Sequence, residues 1–169
     1  MTVSYDPNVR PVLLGAAEGA RSGIEGLVAM SDVVKVSDED LGWLYPGERI
    51  EEVAGRWLAT GPALVVVTCA GAGAYAVSRR IESRRPAVPM DLVDTVGAGD
   101  SYTSGLLDGL RRADLVGGMR RDALAAADES TLISILDRAA LIAAITCSRS
   151  GADPPTRAEV DAVLALRRS

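Results

Sequence analysis

Apolar residues recur along this chain with two periods, one close to helical and one short and continuous, and their succession predicts the architecture. Residues 2–5 read as a short strand closed by the turn signal Asp6-Pro7-Asn8, with Arg10-Pro11 opening a helix. From 13 to 30, Leu13, Ala16, Ala17, Ala20, Ile24, Leu27 and Val28 keep helical spacing, although four glycines weaken it. Val33-Val34-Lys35-Val36 is too short and too β-branched for a helix and predicts a buried strand. Ser37-Asp38-Glu39-Asp40 then forms a capping-box-like start to the next helix. A further amphipathic helix over 48–58 carries Ile50, Val53, Ala54, Trp57 and Leu58 on one face, which makes Trp57 a core residue.

Residues 63–68 are apolar almost throughout, as a central strand covered on both faces would be. The next stretch, Gly71-Ala-Gly73-Ala-Tyr-Ala76, formally fits a dinucleotide-binding fingerprint, but that motif requires a helix immediately after it. Residues 77–83 instead alternate and run into Pro86 and Pro89, so a hairpin is expected. After 94–100, apolar positions Tyr102, Leu106, Leu107 and Leu110 predict a helix. Residues 114–129 predict a loop with partial helix, and Ser130 is placed to cap a buried helix through Leu132, Ile133, Leu136, Ala140, Ala143 and Ala144. Thr156-Arg-Ala-Glu159 is a full capping box for a last helix with Val160, Val163 and Leu164 inward. Strands alternating with helices predict an α/β sandwich with a largely parallel sheet, whose ligands gather at the carboxyl ends of the strands. Asp6, Ser37, Thr68 and Asp94 are expected to meet on that edge.

Composition narrows the class. A chain of 169 residues that is 48% hydrophobic and 24% charged predicts a single folded domain over 1–169. A formal charge of -5 and a pI near 4.8 speak against a nucleic-acid partner. No run in the sequence reads as a membrane span, and the first residues do not read as a signal peptide, so a cytoplasmic location is expected. Cys69 and Cys147 lack metal-ligand spacing and read as buried thiols. Because the sequence contains no histidine, carboxylates are the natural proton acceptors.

One stretch gives those carboxylates a task. Asp94-Thr-Val96-Gly97-Ala98-Gly99-Asp100 places two glycines between two acids at the start of a helix. Helix N-termini attract anions through unpaired N–H groups and the macrodipole, and glycines let a ligand approach the backbone closely. Asp100 could take a proton from an attacking hydroxyl while the loop amides hold negative charge, as phosphoryl transfer requires. A first-turn acid beside a tight turn is the plainer alternative, and the residues alone leave both open.

The seven residues resemble the Asp-Thr-x-Gly-Ala-Gly-Asp signature of the ribokinase-like, or PfkB, carbohydrate kinases. That resemblance implies a three-layer α/β/α fold, ATP and a sugar as partners, and Asp100 as catalytic base. Gly97, Ala98 and Gly99 would supply the anion hole, with Asp94 and Val96 beside a monovalent cation such as K⁺. The phrase Asp6-Pro-Asn8-Val-Arg10-Pro is similar to a fructokinase-like or 2-keto-3-deoxygluconate-kinase-like segment near substrate and phosphate, which gives Asn8 and Arg10 that role. The family's Asn-x-x-Glu motif, linked to Mg²⁺, falls on Ser37 and Asp40. Its Thr-x-Gly-x-x-Gly stretch beside ATP falls on Thr68 and Gly73, with Ala70 in place of the first glycine, and its late Gly-Ala segment on Gly151 and Ala152. The resemblance spans the chain but only the C-terminal half of the family's usual length, with the N-terminal half missing. The alternative expectation is accordingly a catalytically silent nucleotide-binding or interaction fragment, self-associating through an exposed sheet edge at residues 2–5.

Overall fold

The computed structural model describes residues 1–166. Five strands form one sheet in the order of the sequence: β1 (Ser4–Tyr5), β2 (Val33–Ser37), β3 (Leu64–Thr68), β4 (Ala74–Ser78) and β5 (Glu82–Arg85). β1, β2 and β3 pair in parallel, β4 runs against both its neighbours, and β5 therefore points the same way as the first three. The parallel part needs crossover helices, and these occupy the sequence between the strands.

Alternation along the strands sorts the core into two halves. Val34, Val36, Val65, Val67, Tyr75 and Val77 face α2 (Ala17–Ala29), α3 (Asp38–Leu44) and α4 (Ile50–Thr60). Val33, Leu64, Val66, Ala74 and Ala76 face α5 (Ala98–Arg112) and α7 (Glu129–Cys147), through Tyr102, Leu106, Leu110, Leu132 and Leu136. This is the three-layer α/β/α sandwich, with a short α6 (Arg121–Ala125) on the second face and α8 (Arg157–Leu166) docked by Val160 against Leu141 and Ile145. Trp57 is in the core as expected and donates to the Tyr45 hydroxyl at 3.0 Å.

Several local expectations change. The helix predicted over 13–30 is broken at Gly15, whose φ is +74°, into α1 (Pro11–Leu14) and α2. Val12 and Leu13 are left 97% and 82% exposed, so the helical period across 13–30 does not describe one buried face. α7 is capped two residues earlier than Ser130: Asp128 accepts from the Thr131 N–H at 2.8 Å, and the Ser130 hydroxyl donates to the same carboxylate at 2.6 Å. With 19 residues and a mean hydropathy of 1.6, α7 is long and apolar enough to cross a membrane, contrary to the expectation that no run is; here Leu132, Leu136, Ala139, Leu141 and Ile145 bury it against the rest of the protein. Cys69 is buried as a free thiol, whereas Cys147 is only half-buried. The hairpin is present as β4 and β5, and no helix comes after Gly71-Ala-Gly73, so the dinucleotide fingerprint lacks its required context.

Between β3 and β4 the chain turns through Ala70–Ala72, with Ala70 at φ +43°. A side chain in the left-handed region costs roughly 1–2 kcal/mol, against about 0.5–1 kcal/mol for the extra chain entropy of glycine. Ala70→Gly is therefore expected to stabilise the protein by about 0.5–1 kcal/mol, read as a rise in melting temperature of roughly 1–4 °C. An unchanged or lowered melting temperature would contradict this. Gly73 has a separate constraint: its φ is +93°, and a Cβ there would sit 2.1 Å from the Arg85 carbonyl.

Candidate active site

The parallel strands end side by side, with Ser37 in register with Thr68, and Asp6 directly following β1. The 94–100 turn enters this edge differently. It comes after an irregular connection beyond β5 rather than after a strand, and it leads into α5, which packs across the sheet from the other side. Gly97 adopts φ +78° and ψ 2°, a left-handed conformation glycine takes without strain, and it is the residue that caps α5. A Cβ on Gly97 would meet the Ala152 Cβ at 2.9 Å, so the 151–152 loop is seated directly on the turn.

Asp94 ties the two loops. Its Oδ1 accepts from the Val96 N–H at 3.1 Å and its Oδ2 from the Gly151 N–H at 2.9 Å. These bonds, Val96 first, hold the Asp94 carboxyl below its ordinary value. The Cys147 carbonyl accepts from the N–H groups of Val93 and Asp94, fastening the approach to the turn onto the end of α7. Ser101, the second residue after Gly99, is buried against Thr146 of α7 at 3.0 Å, so the first turn of α5 is fixed from inside. Within the turn, the Ala98 N–H donates to the Thr95 carbonyl at 3.2 Å. Asp100 is exposed in the first turn of α5, and among the described residues its carboxylate makes no hydrogen bond or ion pair.

Beneath the turn lies Lys35, which the sequence pattern marks only as part of a strand. It is 5% exposed, and its Nζ donates to Asp6 Oδ2 at 2.9 Å. Thr103 Oγ1 stands 3.4 Å from the same oxygen and 3.0 Å from the Gly99 carbonyl. Asp40 belongs to this group electrostatically. Burial pushes its carboxyl above the ordinary value and the Asp6 charge adds to that, while the Ser37 side chain, the Val9 N–H and Lys35 act in the opposite sense. The Asp40 N–H also donates to Ser37 Oγ at 3.0 Å, the first half of the expected capping box. A lysine inside an apolar strand was the available signal, because a buried charge needs a partner.

The remaining sequence-predicted residues lie around this centre. Asn8 adopts φ +45°, and the exposed Arg10 guanidinium folds back to donate to the carbonyls of Asn8 at 3.3 Å and Val9 at 3.0 Å. Thr68 Oγ1 donates to the Val36 carbonyl at 3.4 Å. Gly73 is pressed against Arg85, which gives that glycine a sufficient packing reason. The turn opens to solvent; a groove of about 480 Å³ lined by Gly109, Arg112, Ser130, Ile135 and Arg138 lies toward the opposite end of α5.

The chain is 35% identical over 130 residues to a fructokinase from Rhizobium leguminosarum bv. trifolii, covering 77% of this chain and 39% of that protein. Against fructokinase-1 of Zea mays it is 33% identical over 162 residues, covering 94% of this chain and 47% of the relative. Among solved structures, a fructokinase with bound ATP from Xylella fastidiosa superimposes with a TM-score of 0.85 at 25% identity, over 99% of this chain and 53% of the other. A fructokinase double mutant from Vibrio cholerae, bound to fructose, ADP and potassium ion, gives 0.77 at 26% identity, over 95% and 49%. The chain thus spans about half the length of the relatives it matches. Residues 1–159 match the model of the pfkB family carbohydrate kinases, and the chain belongs to that family.

Proposed function

We propose that this chain is the phosphate-handling, nucleotide-binding part of an ATP-dependent sugar kinase. The observation that carries the proposal is the 94–100 turn: an open, glycine-capped helix start, braced by Asp94 and Ala152, with an unengaged carboxylate at Asp100. In this reading the sugar hydroxyl loses its proton to Asp100 and attacks the γ-phosphate of ATP in line, with ADP leaving. The N–H groups of Gly97 and Gly99, joined by that of Ala98 once its turn hydrogen bond is given up, face the charge on the transferring group. The 151–152 loop and the β3–β4 turn, with Thr68 and Gly73, would border the nucleotide.

The donors suit the ions that accompany such chemistry. Asp94 and the Val96 carbonyl offer hard oxygen ligands to a monovalent cation, since each carboxylate oxygen keeps a lone pair beyond the one its N–H bond uses. Mg²⁺ commonly binds through one or two carboxylates plus phosphates, and Asp40 is the carboxylate this edge would offer; when bound, it neutralises phosphate charge. Relatives named as fructokinases, and the Asp6–Pro11 phrase with Asn8 and Arg10, favour fructose or a keto-sugar acid as acceptor.

The test is ATP consumption by this polypeptide with a panel of sugars, in which fructose or a keto-sugar acid is expected to stimulate ADP release. A second reading, a silent nucleotide-binding or interaction fragment, draws on the exposed Val12 and Leu13 of α1 and on β1, which pairs on one side only, with β2. It predicts ATP binding without turnover and self-association in light scattering; turnover by a monomer would exclude it.

A further inference from the structure

We infer that Lys35 is a charge-setting, positioning residue of the phosphate seat, its ammonium resting against the bare backbone of Gly99. The inference rests on the proposed nucleotide-binding role and assigns a residue that the signature does not contain.

The two glycines of the turn are small for different reasons. Gly97 needs its left-handed φ, whereas Gly99 lies in ordinary helical backbone. A Cβ on Gly99 would meet a single neighbour within 4 Å among the described residues, Lys35 Nζ at 3.1 Å. The ammonium therefore rests against the bare backbone of the turn. Alternation brings it there: Val33 faces α5 while Val34 and Val36 face the other layer, so Lys35 faces α5.

Burying this charge is costly unless it is paired, and Asp6 supplies the pairing at 2.9 Å. The Asp6 bond uses one of three ammonium donors and fixes the side chain from behind. Asp6 also begins the segment that carries Asn8 and Arg10, so one lysine joins the phosphate turn of α5 to the segment after β1. A fixed positive charge in a desolvated position raises the affinity of the turn for anionic ligands in proportion to their charge. A merely structural lysine has no such charge dependence.

The test compares ATP, ADP and adenosine binding by calorimetry on this chain, with thermal melts alongside. Lys35→Met is expected to weaken ATP on the order of ten- to a hundredfold, ADP less, and adenosine hardly at all. Gly99→Ala, which keeps the charge but displaces it, should weaken ATP in the same order while the melting temperature holds or rises, because alanine favours the helix. The double variant K35M/G99A should bind ATP no worse than K35M alone. Where K35M does not fold, Gly99→Ala carries the comparison by itself, since it keeps the Lys35–Asp6 pair and only displaces the ammonium. Equal losses for all three ligands, or a full additional loss from G99A on top of K35M, would overturn the role of Lys35. Failure of the unmodified chain to bind ATP at all would instead overturn the nucleotide reading, and this inference with it.

Discussion

Replacing Asp100 with asparagine is expected to cut sugar phosphorylation by roughly 10²–10⁴-fold while leaving the fold and ATP affinity in place. The expectation comes from what Asp100 does not do. Other acids of this chain have structural partners: Asp94 holds two loop N–H groups, Asp128 caps α7, Asp137 receives both Nε and Nη2 of Arg85, and Asp108 faces Arg111, Arg112 and Arg157. Asp100 has no such partner among the described residues and stands exposed one residue after the glycine turn. Removing its charge should therefore cost no more than about 0.3–1 kcal/mol, the share an acid in the first turn of a helix gains from the macrodipole. Asparagine keeps the shape and loses the basicity. Turnover with fructose and ATP, a melting curve and an ATP titration on the same preparation separate the outcomes: unchanged turnover removes Asp100 from the chemistry, and lost ATP binding would make it a nucleotide contact instead.

The parts of this site that can be read along the chain are those whose physics is local. A turn with glycines at 97 and 99 leading into a 3.6-residue period announces itself, and the capping box at 156–159 is present in both directions, the Thr156 N–H donating to Glu159 and the Glu159 N–H reaching Thr156. Lys35 does not announce itself in the same way. Three neighbouring valines describe a strand correctly, but the meaning of the lysine among them depends on Asp6, 29 residues earlier, and on Gly99, which only tertiary packing brings near. The break at Gly15 is obscured for a related reason: the apolar period continues across it, and only the fold reveals that nothing within the described residues covers Val12 and Leu13. Asp128 and Ser130 are both competent cap residues, and the choice between them is made by which backbone becomes helical first. Gly73 can be read as a nucleotide-bordering glycine, yet the approach of Arg85 already requires it. A motif residue can thus be indispensable to the fold without that settling its part in binding.

Gly97→Ala is expected to be the most damaging methyl group that can be added to the turn. Two costs coincide. A residue with a Cβ at φ +78° loses roughly 1–2 kcal/mol relative to glycine, and the new carbon would lie 2.9 Å from the Ala152 Cβ, an overpacked contact typically worth about 1–3 kcal/mol. Together they predict a loss of about 2–5 kcal/mol, enough to lower the melting temperature by several degrees or more in a chain of this size. Because Ala152 adjoins Gly151, whose N–H holds Asp94, relief by local movement would pull the 151–152 loop away from the turn and weaken ATP binding as well. Adding Ala152→Gly to Gly97→Ala should recover the packing share and leave the backbone share, so the double variant should melt between the single variant and the unmodified protein. The contrast with Gly99→Ala is the sharper check, since the same methyl group two residues later meets only the side-chain end of Lys35, at 3.1 Å, in ordinary helical backbone. Equal melting temperatures for the two variants would mean that the left-handed cap and its seat on Ala152 do not hold this turn.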